Sequence, residues 1–394
     1  MSPSRAYILF SAAQGLMFMV TTATYVPFLT SIGLTLSQVS MVNGWFWVAI
    51  ILFEVPTGMW ADARSRAWSL RVGFLIFALG NGIYFLADNV WWALAAEVVN
   101  GFAFTFLSGI QQAWIVDALK LHNRENEKGQ TFANAAIVKG LLAAPAALFG
   151  SWVGATFGLQ WPWAVSAVFA LVGLLVVTRY MNGDGEVLEH EKVSEKEALK
   201  RSINALKNSA ALRWAVAVGM ASGLVMTFNH YWPTYFEQFV STAQLGLVWS
   251  PLYLALFLAG MIVRKAKIPS GAEATAVAIS LVVGGVGLAL IGQVPGLGLI
   301  LVMSVVHEVG RGAFRPLLDS YTNHHVTSEY RSTFGSLQSL LEEVGAAIVL
   351  FGLAFYMSGR EDSPANIANV WLASGALLVI LAVVLFFLRP KERP

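Results

Sequence analysis

The sequence predicts an all-α integral membrane fold, with twelve transmembrane helices in two six-helix bundles. Three observations predict it. First, apolar residues make up 57% of the 394-residue chain and charged residues only 12%, about half the charged share of a soluble domain. Second, a mean hydropathy of +0.64 means more apolar surface than a polar shell could hide, and a hydrocarbon solvent removes that conflict. Third, the basic residues fall on alternate loops, as an even number of spans requires.

A spanning helix needs roughly 20 apolar residues. Such stretches run over 6–30, 38–60, 68–87, 90–118, 130–157, 161–181, 212–236, 244–263, 272–292, 296–321, 332–357 and 366–388. The first follows Arg5 and exceeds the roughly 7–15 residues of a signal-peptide core, so it reads as a span interrupted late by Pro27. With the N-terminus inside, the inner loops hold Arg64 and Arg66, then Lys120, Arg124 and Lys128, then Lys192, Lys196, Lys200, Arg201 and Lys207. Arg264, Lys265, Lys267 and Arg331 follow, and the tail holds Arg389, Lys391 and Arg393. The outer loops hold Arg360, beside Glu361 and Asp362. Both termini of this multi-pass chain are therefore expected on the cytoplasmic side. The longest polar stretch, 182–210, splits the spans six and six. The expected organisation is an N-terminal bundle over 1–181, a cytoplasmic linker over 182–210 and a C-terminal bundle over 211–394, the plan of many transporters built from two repeats.

At the inner end of the second segment stands Gly58-Met59-Trp60-Ala61-Asp62-Ala63-Arg64-Ser65-Arg66. This run resembles the signature between helices 2 and 3 of the major facilitator superfamily. There Gly leads, Ala-Asp holds the fourth and fifth positions, and a basic residue holds the ninth. Ser65 stands where the family usually has Gly, and Ala67 where it has a second basic residue. The preceding Phe53-Glu54-Val55-Pro56-Thr57 is also similar to the superfamily. The resemblance implies secondary transport by alternating access. It also implies that Asp62 faces the N-terminus of helix 11, whose dipole favours an anion, and that Arg66 reaches Asp117. Gly58 is expected to permit close helix approach. The alternative is that these charges only snorkel at the interface.

In segment 4, Glu97, Asn100, Gly101, Ser108 and Gln111 recur near helical spacing and make one polar stripe, which must face a cavity or another helix because lipid cannot satisfy it. Proton antiporters of the superfamily often carry an Arg four residues before the Gly. Glu97 stands at that position here, which makes it a candidate proton carrier, since burial favours the protonated carboxyl. The other reading is a protonated Glu that packs and hydrogen-bonds. Lys139 in segment 5 needs an acid, and Glu54 or Asp117 lies at similar depth. The run Gly140 to Pro145 with Gly150 resembles the antiporter signature of helix 5 weakly, because Ala144 replaces its Gly before Pro.

Segment 10 carries His307, Glu308, Arg311, Arg315 and Asp319, and the offsets place the last four on one face. Segment 11 offers Glu342 and Glu343 near the same depth. One reading is a neutralised ladder locking two helices. The other is a cavity in which Arg311 binds solute and Glu308 or Glu342 exchanges protons. Gln14, Thr21, Thr22, Tyr25, Asn43, Trp47, Asn229, His230, Tyr231 and Trp232 suggest a mixed aromatic and polar pocket.

The candidate proton-coupling residues are thus Glu54, Glu97, Glu308, Glu342 and Glu343. The candidate solute contacts are Gln14, Tyr25, Asn43, Asn100, Gln111, Lys139, Asn229, Trp232, Arg311 and Arg315. The chain has no Cys, which excludes disulfides and Cys-ligated metals. A P-loop, a metal motif and a nucleophile constellation are also absent, so neither an enzyme nor a cofactor or metal site is expected. A net charge of +2 is too small to point to nucleic acid. The expected partners are a small-molecule solute, protons or sodium, and the bilayer, with the chain a monomer in a bacterial inner membrane. Proton-linked export of small organic compounds leads the functional readings. Proton-coupled import of a nutrient or metabolite comes second, and a lipid flippase or a non-transporting receptor stands in a class apart.

Overall fold

The computed structural model describes residues 1–181, 195–266, 268–269, 271–326 and 331–390, with side chains left out at 61–63, 195–199 and 331–332. It is helical, and no strand occurs among the described residues. Among the described residues sixteen α-helices follow one another: α1 (Pro3–Met19), α2 (Tyr25–Ser31), α3 (Leu36–Ala63), α4 (Arg66–Leu86), α5 (Val90–Thr105), α6 (Ile110–Leu121), α7 (Lys128–Phe157) and α8 (Trp161–Tyr180). Then come α9 (Glu195–Asn208), α10 (Ala210–Ala221), α11 (Met226–Phe236), α12 (Leu245–Lys265), α13 (Glu273–Ile291), α14 (Gly296–His325), α15 (Arg331–Met357) and α16 (Pro364–Phe387).

Polar residues at the loop edges start these helices. Thr35 and Gln38 form a capping box on α3, Ser65 accepts from Trp68 N, and Asn89 accepts from Trp91 N and Trp92 N. Each cap satisfies backbone donors that a helix start otherwise leaves open. Ser65 thus serves as the N-cap of α4 in the position where the family signature has Gly.

Eleven helical stretches among the described residues are long and apolar enough to cross a membrane. The first apolar segment is not among them, because it is split into the 17 residues of α1 and the 7 of α2. The sequence reading of one long first span is corrected to two short helices parted at 20–24, and a count of twelve is not reached by this measure. Two further segments are interrupted. Residues 106–109 separate α5 from α6, with Gly109 at φ +69°, and a 3₁₀ turn, Ser222–Val225, separates α10 from α11. The segment 4 stripe is corrected accordingly: Glu97 and Asn100 lie on α5, Ser108 in the break and Gln111 on α6, so they do not form one continuous face.

The chain divides into two compact units. The first comprises Met1–His190 with Val240–Ser250, around a core that includes Phe10, Phe74, Leu107 and Trp114. Small residues set its tightest crossings. A Cβ at Gly150 would overlap the Val20 carbonyl, and one at Gly101 would lie 2.6 Å from Phe46 O. Gly58 behaves differently from expectation. Nothing lies within 4 Å of its would-be Cβ, because α3 makes its close crossing earlier, at Phe46.

The second unit comprises Glu191–Phe239 with Pro251–Pro394. Gly310 meets Gly284, Gly312 meets the Leu256 carbonyl, and Gly375 meets Gly285, all too close for a Cβ. Part of the polar stretch 182–210 is the helix α9, whose Ala205 and Leu206 pack with Leu212, Val216 and Phe334. Residues 182–194, with Lys192, lie outside the described residues, as do Lys267, Lys391 and Arg393 and the side chains of Lys196 and Arg331.

Candidate functional site

In the first unit the polar side chains gather around Glu97, which is only 5% exposed. Its carboxylate accepts three hydrogen bonds: Asn43 Nδ2 donates at 2.7 Å and Tyr25 Oη at 3.1 Å to one oxygen, and Tyr84 Oη donates to the other. The donors come from α2, α3 and α4, so one acid ties four helices. Tyr84 also stacks on Trp163 of α8 with ring centroids 4.0 Å apart, and Tyr25 meets both rings edge-on. Neutral donors and aromatic rings surround the acid, with no cation among its hydrogen-bond partners in the described residues.

Asn100, one turn further along α5, belongs to a separate chain of bonds. Asn100 Nδ2 donates to Asn81 Oδ1 at 3.2 Å, Asn81 Nδ2 to Ser166 Oγ at 2.9 Å, and Ser166 Oγ to Met17 O at 2.7 Å. This buried line fastens α1, α4, α5 and α8. It gives Asn100 a packing environment against Gly80 rather than a cavity wall. Lys139 donates to Gln14 Oε1 at 2.6 Å, so its described partner is a neutral amide. Asp117, expected as one of two acids for Lys139, is engaged by Arg66, which also donates to Ala113 O at 2.6 Å. That ion pair joins the first turn of α4 to α6, and both side chains are largely buried, at 16% and 7% exposure. Glu54 and Gln111 are half-buried. The side chain of Asp62, the other acid of the signature, lies outside the described residues.

In the second unit the segment 10 charges resolve into two clusters. Arg311 holds Glu308 through Nε at 2.8 Å and Nη2 at 2.7 Å, and donates through Nη1 to Asn229 Oδ1 on α11 at 2.6 Å. Both Arg311 bonds land on Glu308 Oε2, and Oε1 is buried with no hydrogen-bond partner. One turn on, Arg315 donates from Nε to Asp319 at 2.8 Å and from Nη1 to Glu342 on α15. Glu342 Oε1 accepts from Gln338 Nε2 at 2.8 Å. His307 turns the other way, its Nδ1 2.8 Å from Gly284 O. Glu343 is half-buried on α15. Trp232 is 1% exposed and belongs to the packed interior. A cavity of about 160 Å³ lies beside the two arginines, bounded by α13, α14, α15, α16 and the 3₁₀ turn.

Tyr84, Trp163, Asn81, Ser166 and Gln338 were not singled out from the sequence. Asn81 and Tyr84 are three apart on α4, which is a stripe in its own right. Trp163, one residue beyond Pro162 near the start of α8, reads as an interface anchor, and only the fold turns it inward.

The family model described as Major Facilitator Superfamily matches residues 7–350. Among curated proteins, the multidrug resistance protein 2 of Bacillus subtilis (strain 168) is 24% identical over 164 residues, 42% of this chain and 40% of that protein. The inner membrane transport protein YajR of Escherichia coli (strain K12) is 25% identical over 181 residues, 44% of this chain and 37% of that one. The matches thus span about two fifths of the length of these relatives. Among solved structures, a point mutant of the nucleoside transporter NupG aligns with a TM-score of 0.80 at 14% identity, over 98% of this chain and 100% of that one. A bacterial homologue of the human lysosomal transporter Spinster aligns at 0.74 and 14%, over 98% and 96%. These likenesses are of fold.

Proposed function

Because this chain belongs to the major facilitator superfamily, a family of membrane transporters, we propose that it is a proton-coupled secondary transporter of small amphipathic organic compounds. It works by alternating access between two halves, 1–181 and 211–394, joined by a cytoplasmic linker over 182–210, with both termini cytoplasmic. The likeness to YajR by name supports a bacterial inner membrane.

One observation carries the coupling: Glu97 is buried with three neutral donors and no cation among its hydrogen-bond partners. A proton carrier must visit both protonation states. An ion pair favours the charged one, so Glu308 and Glu342 stay charged for as long as Arg311 and Arg315 hold them. Neutral donors compensate the carboxylate without fixing it, and a tyrosine hydroxyl turns to accept once the acid is protonated. Arg66 and Asp117, with Asp62 of the same signature, stabilise one conformational state.

Export in exchange for protons is the first reading of direction, supported by the likeness to multidrug resistance protein 2. Import together with protons is the second, favoured by the arginine and acid pairs beside the cavity of the second unit. Proteoliposomes with an imposed pH gradient test both. Solute movement opposite to protons supports export, and co-directional movement supports import. Glu97→Gln is expected to keep solute counterflow and lose pH-driven accumulation. Unchanged pH-driven accumulation in that variant removes Glu97 from the mechanism.

A further inference from the structure

The cavity of the second unit has the volume of one ring and a charged rim of unusual make-up. Its 160 Å³ compares with the roughly 150 Å³ of an apolar cavity that takes up benzene. The walls are Val225, Leu281, Phe314 and Leu378, and the rim is Arg311, Arg315 and Glu342. The rim is accessible at Arg315, whose side chain is 46% exposed, and closed over by Glu342, at 16%.

Hydrogen-bond capacity then selects the ligand. A guanidinium has five N–H donors. Arg311 spends three on Glu308 and Asn229, and Arg315 spends two on Asp319 and Glu342. The acceptors of the rim are already engaged, Glu342 by Arg315 and Gln338. The wall hydroxyls donate to their own helices, Ser222 to Gly219 O and Ser280 to Val277 O. What is left over at the rim is N–H donors on fixed planar cations, which match a carboxylate in bidentate fashion.

We propose that this cavity binds a small aromatic carboxylate, ring inward and carboxylate on Arg315, in place of Glu342. This deepens the second, import direction of the transport reading above, and rests on that reading only for the claim that the bound compound is carried. A displaced Glu342 loses its cation in a low-dielectric wall and takes up a proton, so the anion and one proton bind together. The charges facing Glu342 fit that exchange. Arg315 and Asp319 face it from α14, with Arg264 of α12 acting on Asp319. Arg311, already paired with Glu308, lines the same cavity. The α10 side offers Gly219, whose Cβ would sit 2.6 Å from Glu342 Oε1, and Ser222, neither of them charged.

The test is calorimetry on the purified full chain in detergent, with benzoate, benzamide and benzylamine as probes, near neutral pH in buffers of different ionisation heats. Benzoate is expected to bind at least tenfold tighter than either neutral or cationic probe, with uptake of about one proton. Glu342→Gln, an uncharged isostere that gives up Arg315 readily, is expected to bind benzoate about tenfold tighter with no proton uptake. Val225→Phe fills the ring site without touching the ion pairs and is expected to abolish binding. Equal binding of benzamide, proton release, weaker binding in Glu342→Gln, or full binding in Val225→Phe would each overturn the proposal. The readout is binding, not flux: benzoate binding as described without transport sinks the transport reading alone, and transport without benzoate binding sinks only this one.

Discussion

At the residue scale, Glu97 is held differently from the acids of α14 and α15. Glu97 leans on neutral donors, whereas Glu308 and Glu342 lean on arginines. The contrast predicts different costs for small changes. Tyr84→Phe removes one hydrogen bond to a buried carboxylate and should lower stability by about 1–2 kcal/mol, read as the apparent midpoint of thermal unfolding in detergent. Asp117→Asn leaves Arg66 with a backbone carbonyl and no counter-charge among the described side chains. Its cost should fall at the low end of the roughly 3–5 kcal/mol for breaking a buried pair. Exchanging the two residues, Arg66→Asp with Asp117→Arg, should recover part of that loss, and a double variant no better than Asp117→Asn would mean the pair contributes little. Much at this scale was legible: the intramembrane ions were visible because hydrocarbon makes them conspicuous. Their partners were not. Asn81, Tyr84 and Gln338 are ordinary polar residues until the fold sets them opposite an acid or an amide.

At the element scale, apolar runs placed the ends of the spanning segments to within a few residues, but not the interruptions. Nothing in hydropathy marks 20–24, since Val20, Thr21, Thr22, Ala23 and Thr24 suit a membrane helix as well as a turn. The break at 106–109 carries a positive-φ glycine, Gly109, yet glycine is common in spanning helices for packing reasons. Glycine roles likewise need coordinates. Gly150→Ala forces a Cβ into the Val20 carbonyl and should cost about 1–3 kcal/mol through overpacking, seen as lost folded yield and a lower midpoint. Gly58→Ala meets open space on a helix and should gain about 0.5–1 kcal/mol. If Gly58→Ala proved the more damaging of the two for stability, the assignment of close crossings would be wrong.

At the scale of the whole molecule, the superfamily fold was readable from three coarse quantities: hydropathy, loop charge and one nine-residue signature. Membrane solvent leaves a spanning chain only helices or closed barrels, and apolar runs of about 20 residues select helices, so the sequence narrows the architecture more than it would in water. The proposed orientation of the termini has a direct test, because the chain has no Cys. Single cysteines placed at Ser358 and at His122 should report opposite sides. A membrane-impermeant maleimide applied to intact cells is expected to label the first and not the second. Equal labelling of both would break the alternation on which the topology rests.

The split in the first segment has a mechanical corollary. Tyr25 occupies the opening position of α2, immediately past the turn whose Val20 carbonyl is seated on Gly150. The hydroxyl that touches Glu97 is therefore mounted on a short rod pinned at one end, and α1 lies on the far side of the pin. If Glu97 changes its charge as proposed, the rod is expected to tilt while the long neighbour stays seated. Spin labels on α2 and α1 should then show pH-dependent displacement of the first and stillness in the second.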